Sequence, residues 1–373
     1  MPIARFYLML FLSLIFLIGC VRTNILDKVG VTSLIGYDIG QEEKIAVTVV
    51  IREINPDFKS KVQVFTTENN TLLGNKIKTN RELSEQVSFG QTRVITFGED
   101  LAREGLDYFI HSNLENPNIN NNLYMAVIEG KAADLLENEY KDIEDIGQHI
   151  FRLIEQNNKQ KFTTTTTLHI IADDYYSNGK EMSMPILKRD GDLVEFSAIG
   201  IFKGGKMVST LPAKDNFFVN VIRENFNMGV YETVLQGDGN LNNRNSSLNE
   251  MRLTFDTIKS KREIKLVDAS KPEFDLNISM KSRVLEVSPD INFWQRESVA
   301  ALEKDIEKKL KNEISRVIGH TQEVESDIFG FGEKYRSTVR HSKLTKEKWQ
   351  KKYKIMKVNV NIDFTILRNG VFE

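Results

Sequence analysis

The chain has 373 residues, 27% charged and 40% hydrophobic, the composition of a globular protein rather than a disordered or fibrous one. Fifty Lys and Arg stand against 52 Asp and Glu, a formal net charge of −2, so no general field draws nucleic acid or steers an anionic substrate. The single cysteine excludes an intramolecular disulfide and a cysteine-rich zinc cluster.

The first element is MPIARFYLMLFLSLIFLIGC: Arg5 as a positive head, an apolar run from Phe6 to Ile18 broken only by Ser13, and Leu17-Ile18-Gly19-Cys20 at the exit. Thirteen residues at about 1.5 Å each fall short of a hydrocarbon layer of about 30 Å, so the stretch reads as an export signal and not as a permanent span. The exit resembles the lipobox of bacterial lipoproteins. That resemblance implies cleavage before Cys20, a diacylglyceryl group on its thiol and acylation of the new amino terminus. The alternative is an ordinary secretory or anchor helix with an incidental cysteine. Two acyl chains would hold the rest of the protein outside the cytoplasm against a lipid surface. Without residues 1–19 about 350 residues remain, more than one core usually organises, so two or three domains are expected.

After the anchor, Asn24 to Asp38 and the β-branched run Lys44 to Ile51 flank the turn Gln41-Glu42-Glu43 and predict a hairpin. Thr79 to Leu83 opens a predicted helix, Gln91 to Phe97 alternates as a strand, and Gly98-Glu99-Asp100-Leu101-Ala102 turns into a helix that reaches about Ile110. After Asn116-Pro117-Asn118, Leu123 to Ile128 is a strand and Lys131 to Leu136 a helix. Lys141 to Gln156 is amphipathic, with Ile143, Ile146, Ile150 and Leu153/Ile154 in register, and the first region could itself split near Lys141. Thr167 is placed to cap a helix whose Leu168, Ile171, Ala172 and Tyr175 share a face, stopped by Ser177-Asn178-Gly179. Met184 to Leu187 is extended, and the polar turn Lys188 to Asp192 is the expected boundary between an amino-terminal domain, 20–190, and a carboxy-terminal one, 194–370.

The second half opens with a hairpin, Phe196 to Phe202 and Met207 to Leu211 around Lys203-Gly204-Gly205-Lys206, followed by a helix over Phe217 to Phe226. Gly237 to Asn249 reads as a polar loop. Three strands are expected at Met251–Ile258, Arg262–Val267 and Phe274–Val287, the last alternating as in a sheet with one wet face. Val299, Leu302, Ile306, Leu310, Ile314 and Val317 then form the stripe of a long helix from about Trp294 to Ile318, with room to continue as far as Ile328. Met356 to Leu367 closes the chain as an alternating strand.

Several segments taken together resemble the C subunit of the nutrient-germinant receptors of endospore-forming bacteria, the GerAC-like spore germination lipoproteins. They are a cysteine and short spacer before the first hairpin, Gly-Glu-Asp-Leu-Ala between a strand and a helix, the Asn-Pro turn, Glu129-Gly130-Lys131-Ala132, the Pro185 strand, the hairpin at Phe196–Leu211, and Asp327 before Gly330-Phe331-Gly332. The matches spread over most of the chain in order. Departures occur at His111-Ser112-Asn113 and at Ser209-Thr210. The resemblance implies a non-enzymatic lipoprotein of the spore inner membrane, without cofactor, working with an integral A subunit and a permease-like B subunit. The expected fold is α+β and multidomain with mixed sheets, the carboxy-terminal domain being an antiparallel-rich sheet packed on a long helix.

Asp238-Gly239-Asn240 has half the layout of a calcium loop but lacks the later glutamate. His169 and Asp173 lie four apart without a second histidine. Gly330-Phe331-Gly332 lacks the dinucleotide fingerprint and reads as a helix terminus and turn. His111, His149, His320 and His341 are scattered among polar residues, and no Gly-x-Ser-x-Gly motif occurs. Lys343, Lys346, Lys348, Lys351, Lys352 and Lys354 read as a solvated face rather than a lipid-binding one. No catalytic, metal or cofactor residue is expected, and Cys20 is the one modification site. A solute-binding lipoprotein of a transport system is the alternative function; two α/β lobes around a ligand would mark it.

Overall fold

The computed structural model describes residues 29–53, 62–83, 86–236, 250–288 and 294–367. Cys20 and the half calcium loop at Asp238-Gly239-Asn240 lie outside them. The fold is α+β, built on two mixed sheets.

Strands β1 (Val29–Ile39) and β2 (Ile45–Glu53) form the expected hairpin, and β3 (Val62–Asn69) pairs with β2 at the sheet edge. Helix α1 (Leu72–Glu82) follows, capped by Thr71, whose hydroxyl accepts from Gly74 N at 3.0 Å. Thr79 lies near the end of this helix and does not open it. The face that α1 buries is polar: Asn75 and Thr79 both meet Thr67 Oγ1, at 3.1 and 3.2 Å. A helix held by amides and hydroxyls leaves no apolar period to read.

Strand β4 (Gln86–Ser88) and strand β5 (Val94–Gly98) both run parallel to β1. The helix expected as one piece is two, α2 (Glu99–Glu104) and α3 (Asp107–Glu115), because Gly105 at φ 141° turns the backbone between them. Strand β6 (Tyr124–Ile128) leads into α4 (Ala132–Leu136), whose first amides, Ala132 N and Ala133 N, donate to Asp38 at 2.8 and 2.9 Å. Burial raises the Asp38 carboxyl, against the pull of these two amides. Helix α5 (Ile146–Lys159) buries Ile146, Ile150 and Ile154 and is capped by Asp145, which also pairs with Arg52. Helix α6 (Leu168–Tyr176) has Thr167 as its cap and ends at Ser177, as the sequence predicts.

Strand β7 (Ser183–Asp190) continues the parallel run, then β8 (Leu193–Lys203) and β9 (Lys206–Pro212) turn antiparallel and finish the sheet in the order β3-β2-β1-β5-β6-β7-β8-β9, with β4 beside β1. The polar turn around Gly191 is a hairpin within this sheet. Ile199, Ile201 and Leu211, beyond that turn, join the apolar cluster of the second sheet.

Helix α7 (Asn216–Arg223) crosses to the second sheet, ordered β10 (Val230–Gln236), β11 (Glu250–Asp268), β12 (Glu273–Ser288) and β13 (Lys357–Ile366). The two strands expected at Met251–Ile258 and Arg262–Val267 are one. A bulge between Thr257 and Lys259 resets the phase, and buried Ser260 exchanges backbone hydrogen bonds with Phe226, so Lys259-Ser260-Lys261 breaks the alternation but not the strand. The pair β12/β13 is parallel and the rest antiparallel. Helix α8 (Arg296–Glu323) lies along the sheet with all six predicted stripe residues buried. Helices α9 (Phe331–Thr338) and α10 (Lys346–Lys354) are the last helices among the described residues.

Helix α8 also closes an edge. Phe364 N donates to Glu307 Oε1 at 3.0 Å and Ile366 N to Glu303 Oε1 at 2.8 Å, so helix carboxylates occupy two amides on the open side of β13. Replacing both glutamates by alanine is expected to cost about 1–2 kcal/mol per amide in urea unfolding, whereas glutamine, which keeps an acceptor, should stay within about 0.5 kcal/mol of wild type. Equal losses for the two double variants would contradict this role.

Candidate functional site: the junction of the two sheets

Three buried acids, Asp174, Glu181 and Asp327, organise the contact between the halves of the chain. Asp174, on α6, faces Lys180 Nζ at 2.5 Å and Arg223 Nη2 at 3.2 Å, while Arg223 Nη1 donates to Ser183 Oγ at 2.7 Å. Arg223 on α7 therefore ties α6 to the start of β7. Burial lowers the Lys180 ammonium, and Arg223 beside it acts in the same direction, with Asp174 opposing both.

Glu181 receives Lys346 Nζ at 3.2 Å, Gln350 Nε2 at 2.8 Å and Gly204 N at 2.9 Å. Its carboxyl is raised by burial, against these partners. Its own backbone N–H donates to Asp327 O at 2.8 Å, which stitches the strap before β7 to the segment after α8.

Asp327 is the third. Its Oδ1 accepts from Phe329 N at 3.1 Å and Gly330 N at 2.9 Å; its Oδ2 accepts from Gly332 N at 2.8 Å and Trp349 Nε1 at 2.9 Å. The carboxylate closes the Gly-Phe-Gly turn onto α10, and Gly330 takes φ 86°, the left-handed region that glycine enters at least cost. Burial pushes the Asp327 carboxyl up to about 6, against the pull of its donors. At the same place Gly179 and Gly332 bring two backbones into contact: a Cβ on Gly332 would lie 2.5 Å from Trp349 Nε1 and 2.6 Å from Gly179 Cα. Glu333 N donates to Gly179 O at 3.2 Å, and Ser177 Oγ to Glu333 Oε1 at 2.6 Å.

Outside the knot, Glu325 is held at about 2 by Lys203 and Lys354, at 2.7 and 2.9 Å. The lysine run that the sequence presents as a solvated face is thus divided: Lys346 and Lys354 reach into the junction, and Lys352 lies over the Tyr335 ring. His169 and Asp173 are exposed on α6, and among the described residues no group of three or more acidic, histidine or cysteine side chains is placed to hold a metal. The neighbouring Asp174 carries the ion pairs instead. His111 meets Tyr176 and His320 meets Ser209, each through one hydrogen bond, at 2.8 and 2.9 Å.

Beside the junction a cleft of about 490 Å³ opens between β10 and the turn at Ala213–Asp215, with Lys161, Phe162 and Glu313 also on its walls. Phe217 stacks on Tyr231 in its wall at 4.6 Å between ring centroids. Asp215 Oδ1 accepts from Arg316 Nη2 at 2.6 Å; its Oδ2 and the neighbouring Asn216 Oδ1 are buried without a hydrogen-bond partner among the described residues. The pairs Asp174–Arg223, Glu181–Lys346 and Asp215–Arg316 escape a sequence reading because their members lie 49, 165 and 101 positions apart; Asp327 gives a local signal, since it precedes the two glycines it binds.

Among the described residues no helix is long and apolar enough to cross a membrane. Residues 22–189 match the family described as spore germination protein N-terminal domain, and residues 197–370 match spore germination B3/GerAC-like, C-terminal. The spore germination protein GerQC of Bacillus cereus is 25% identical over 370 residues, 99% of each chain. The crystal structure of the GerBC protein shares the fold, with a TM-score of 0.54 at 18% identity over 90% of this chain and 97% of that one. With both halves matched in order, the chain belongs to the GerAC-like family of spore germination proteins, the C subunits of germinant receptors.

Proposed function

We propose that this chain is a non-enzymatic lipoprotein subunit that organises a nutrient-germinant receptor, held by acylated Cys20 at the outer face of the membrane, which in spores is the inner spore membrane. Its partners in this reading are the integral A subunit and the permease-like B subunit, and the nutrient is bound mainly by one of them. The observation that carries the reading is the pair of family matches, which together span residues 22–189 and 197–370 in one order. The physics is compatible: a two-chain anchor raises the effective concentration of the folded part beside its membrane partners. Residues 20–190 and 194–370 serve as two units that share the first sheet through β8 and β9, with the buried acids at their junction fixing one relative position.

Two experiments test it. Spore membranes carrying the tagged chain should yield both A-type and B-type subunits on pull-down, and loss of both would refute the complex. Metabolic labelling with a fatty-acid analogue should mark the wild type and not Cys20→Ala, which should also leave the membrane fraction; equal labelling of the two would refute the anchor.

A further inference from the structure

Strand β10 borders the cleft in a telling way. Five consecutive residues, Val230 to Val234, line it. Alternate side chains of a strand point to opposite faces, so an unbroken run can line a cleft only where the cleft follows the strand's edge. Among the described residues β10 pairs with β11 alone, which leaves its other edge toward that cleft. The opposite edge of the same sheet is treated differently, since Glu303 and Glu307 occupy amides of β13. At the β10 edge Val230 and Val234 are each 41% exposed and Phe162, across the cleft, is 50% exposed.

The chemistry beneath the cleft selects what could lie there. Asp215 and Asn216 are 1% and 3% exposed, and each has an oxygen without a hydrogen-bond partner, one of them on a carboxylate. Buried acceptors left unpaired cost on the order of 1–3 kcal/mol each, so a donor that reaches them gains that much on binding. A cationic side chain or a row of backbone N–H groups supplies such donors; a carboxylate side chain does not.

We propose that the free edge of β10 accepts an extended segment of another receptor subunit as a fifth strand, with a lysine or arginine side chain directed at Asp215 and Asn216. This rests on the complex-forming reading above and names a surface for it. Main-chain hydrogen bonds to β10 supply affinity, and the buried oxygens supply the preference for a basic residue.

The test uses the full lipidated chain in spore membranes, with a photo-crosslinking benzoylphenylalanine at Val234 and, as control, at Leu193, which is 66% exposed in the other sheet. Expected is a crosslink from position 234, and not from 193, to a segment of an A- or B-type subunit carrying Lys or Arg within a few residues. A Glu232→Lys/Val234→Lys variant should reduce recovery of that partner roughly tenfold by like-charge repulsion, with unfolding by urea unchanged. If the subunits co-purify but position 234 gives no crosslink, or crosslinks a segment without a basic residue, the inference fails while the complex stands. If nothing co-purifies, the complex itself fails. The purified chain is also titrated with n-butylammonium: saturable binding of that small cation, together with no crosslink at 234, would assign the cleft to a free amine and overturn the strand.

Discussion

Asp327→Ala is expected to destabilise the protein by about 2–4 kcal/mol at neutral pH, because three buried N–H groups and the part-buried Gly330 N lose their acceptor at once. Asp327→Asn should recover part of this and no more. One amide oxygen still accepts, but the amide NH2 must then face either Phe329 N and Gly330 N or Gly332 N and Trp349 Nε1. The loss also depends on pH. The folded-state pKa stands at about 6, above the ordinary aspartate value near 4. A raised pKa contributes stability that is full below the unfolded value and is lost as pH rises through the folded one. The gap between wild type and Asp327→Ala should therefore widen on acidification from pH 6 to pH 4, by roughly 2–3 kcal/mol. Urea midpoints across that range read it directly, and a gap independent of pH would show that burial does not set this carboxyl.

The second large effect is steric. Gly332→Ala puts a methyl 2.5 Å from Trp349 Nε1 and 2.6 Å from Gly179 Cα, and Gly179→Ala drives its methyl into the Gly332 backbone. Neither obstacle is the flexible end of a side chain. Each substitution is expected to cost about 2–4 kcal/mol, from overpacking and from the hydrogen bonds of Asp327 and Glu333 that must open. The two changes separate the same pair of backbones, so the double variant should be no worse than about 1 kcal/mol beyond the more damaging single. Full additivity would mean that the glycines act separately.

Legibility in the sequence followed the kind of force involved. The stripe of α8, the hairpins at Gln41–Glu43 and Gly204, and the cap at Thr167 are driven by local period and local hydrogen bonding, and the structure has them where the pattern puts them. Helix α1 was hidden because it buries Asn75 and Thr79, and the length of β11 because a bulge and Ser260 interrupt its alternation. The junction was legible only at Asp327, next to its own glycines. Glu181 and Lys346 are 165 positions apart, and no window along the chain joins them.

The glutamates on β13 have a consequence for assembly. A sheet with two open edges can template the next copy at one side while being templated at the other, and such growth does not stop. In the second sheet the carboxylates of α8 already occupy amides on one side, so a copy that adds to β10 brings no matching free edge to carry the addition further. Addition ends after one step. For this sheet, that makes the difference between a pairwise contact and a polymer.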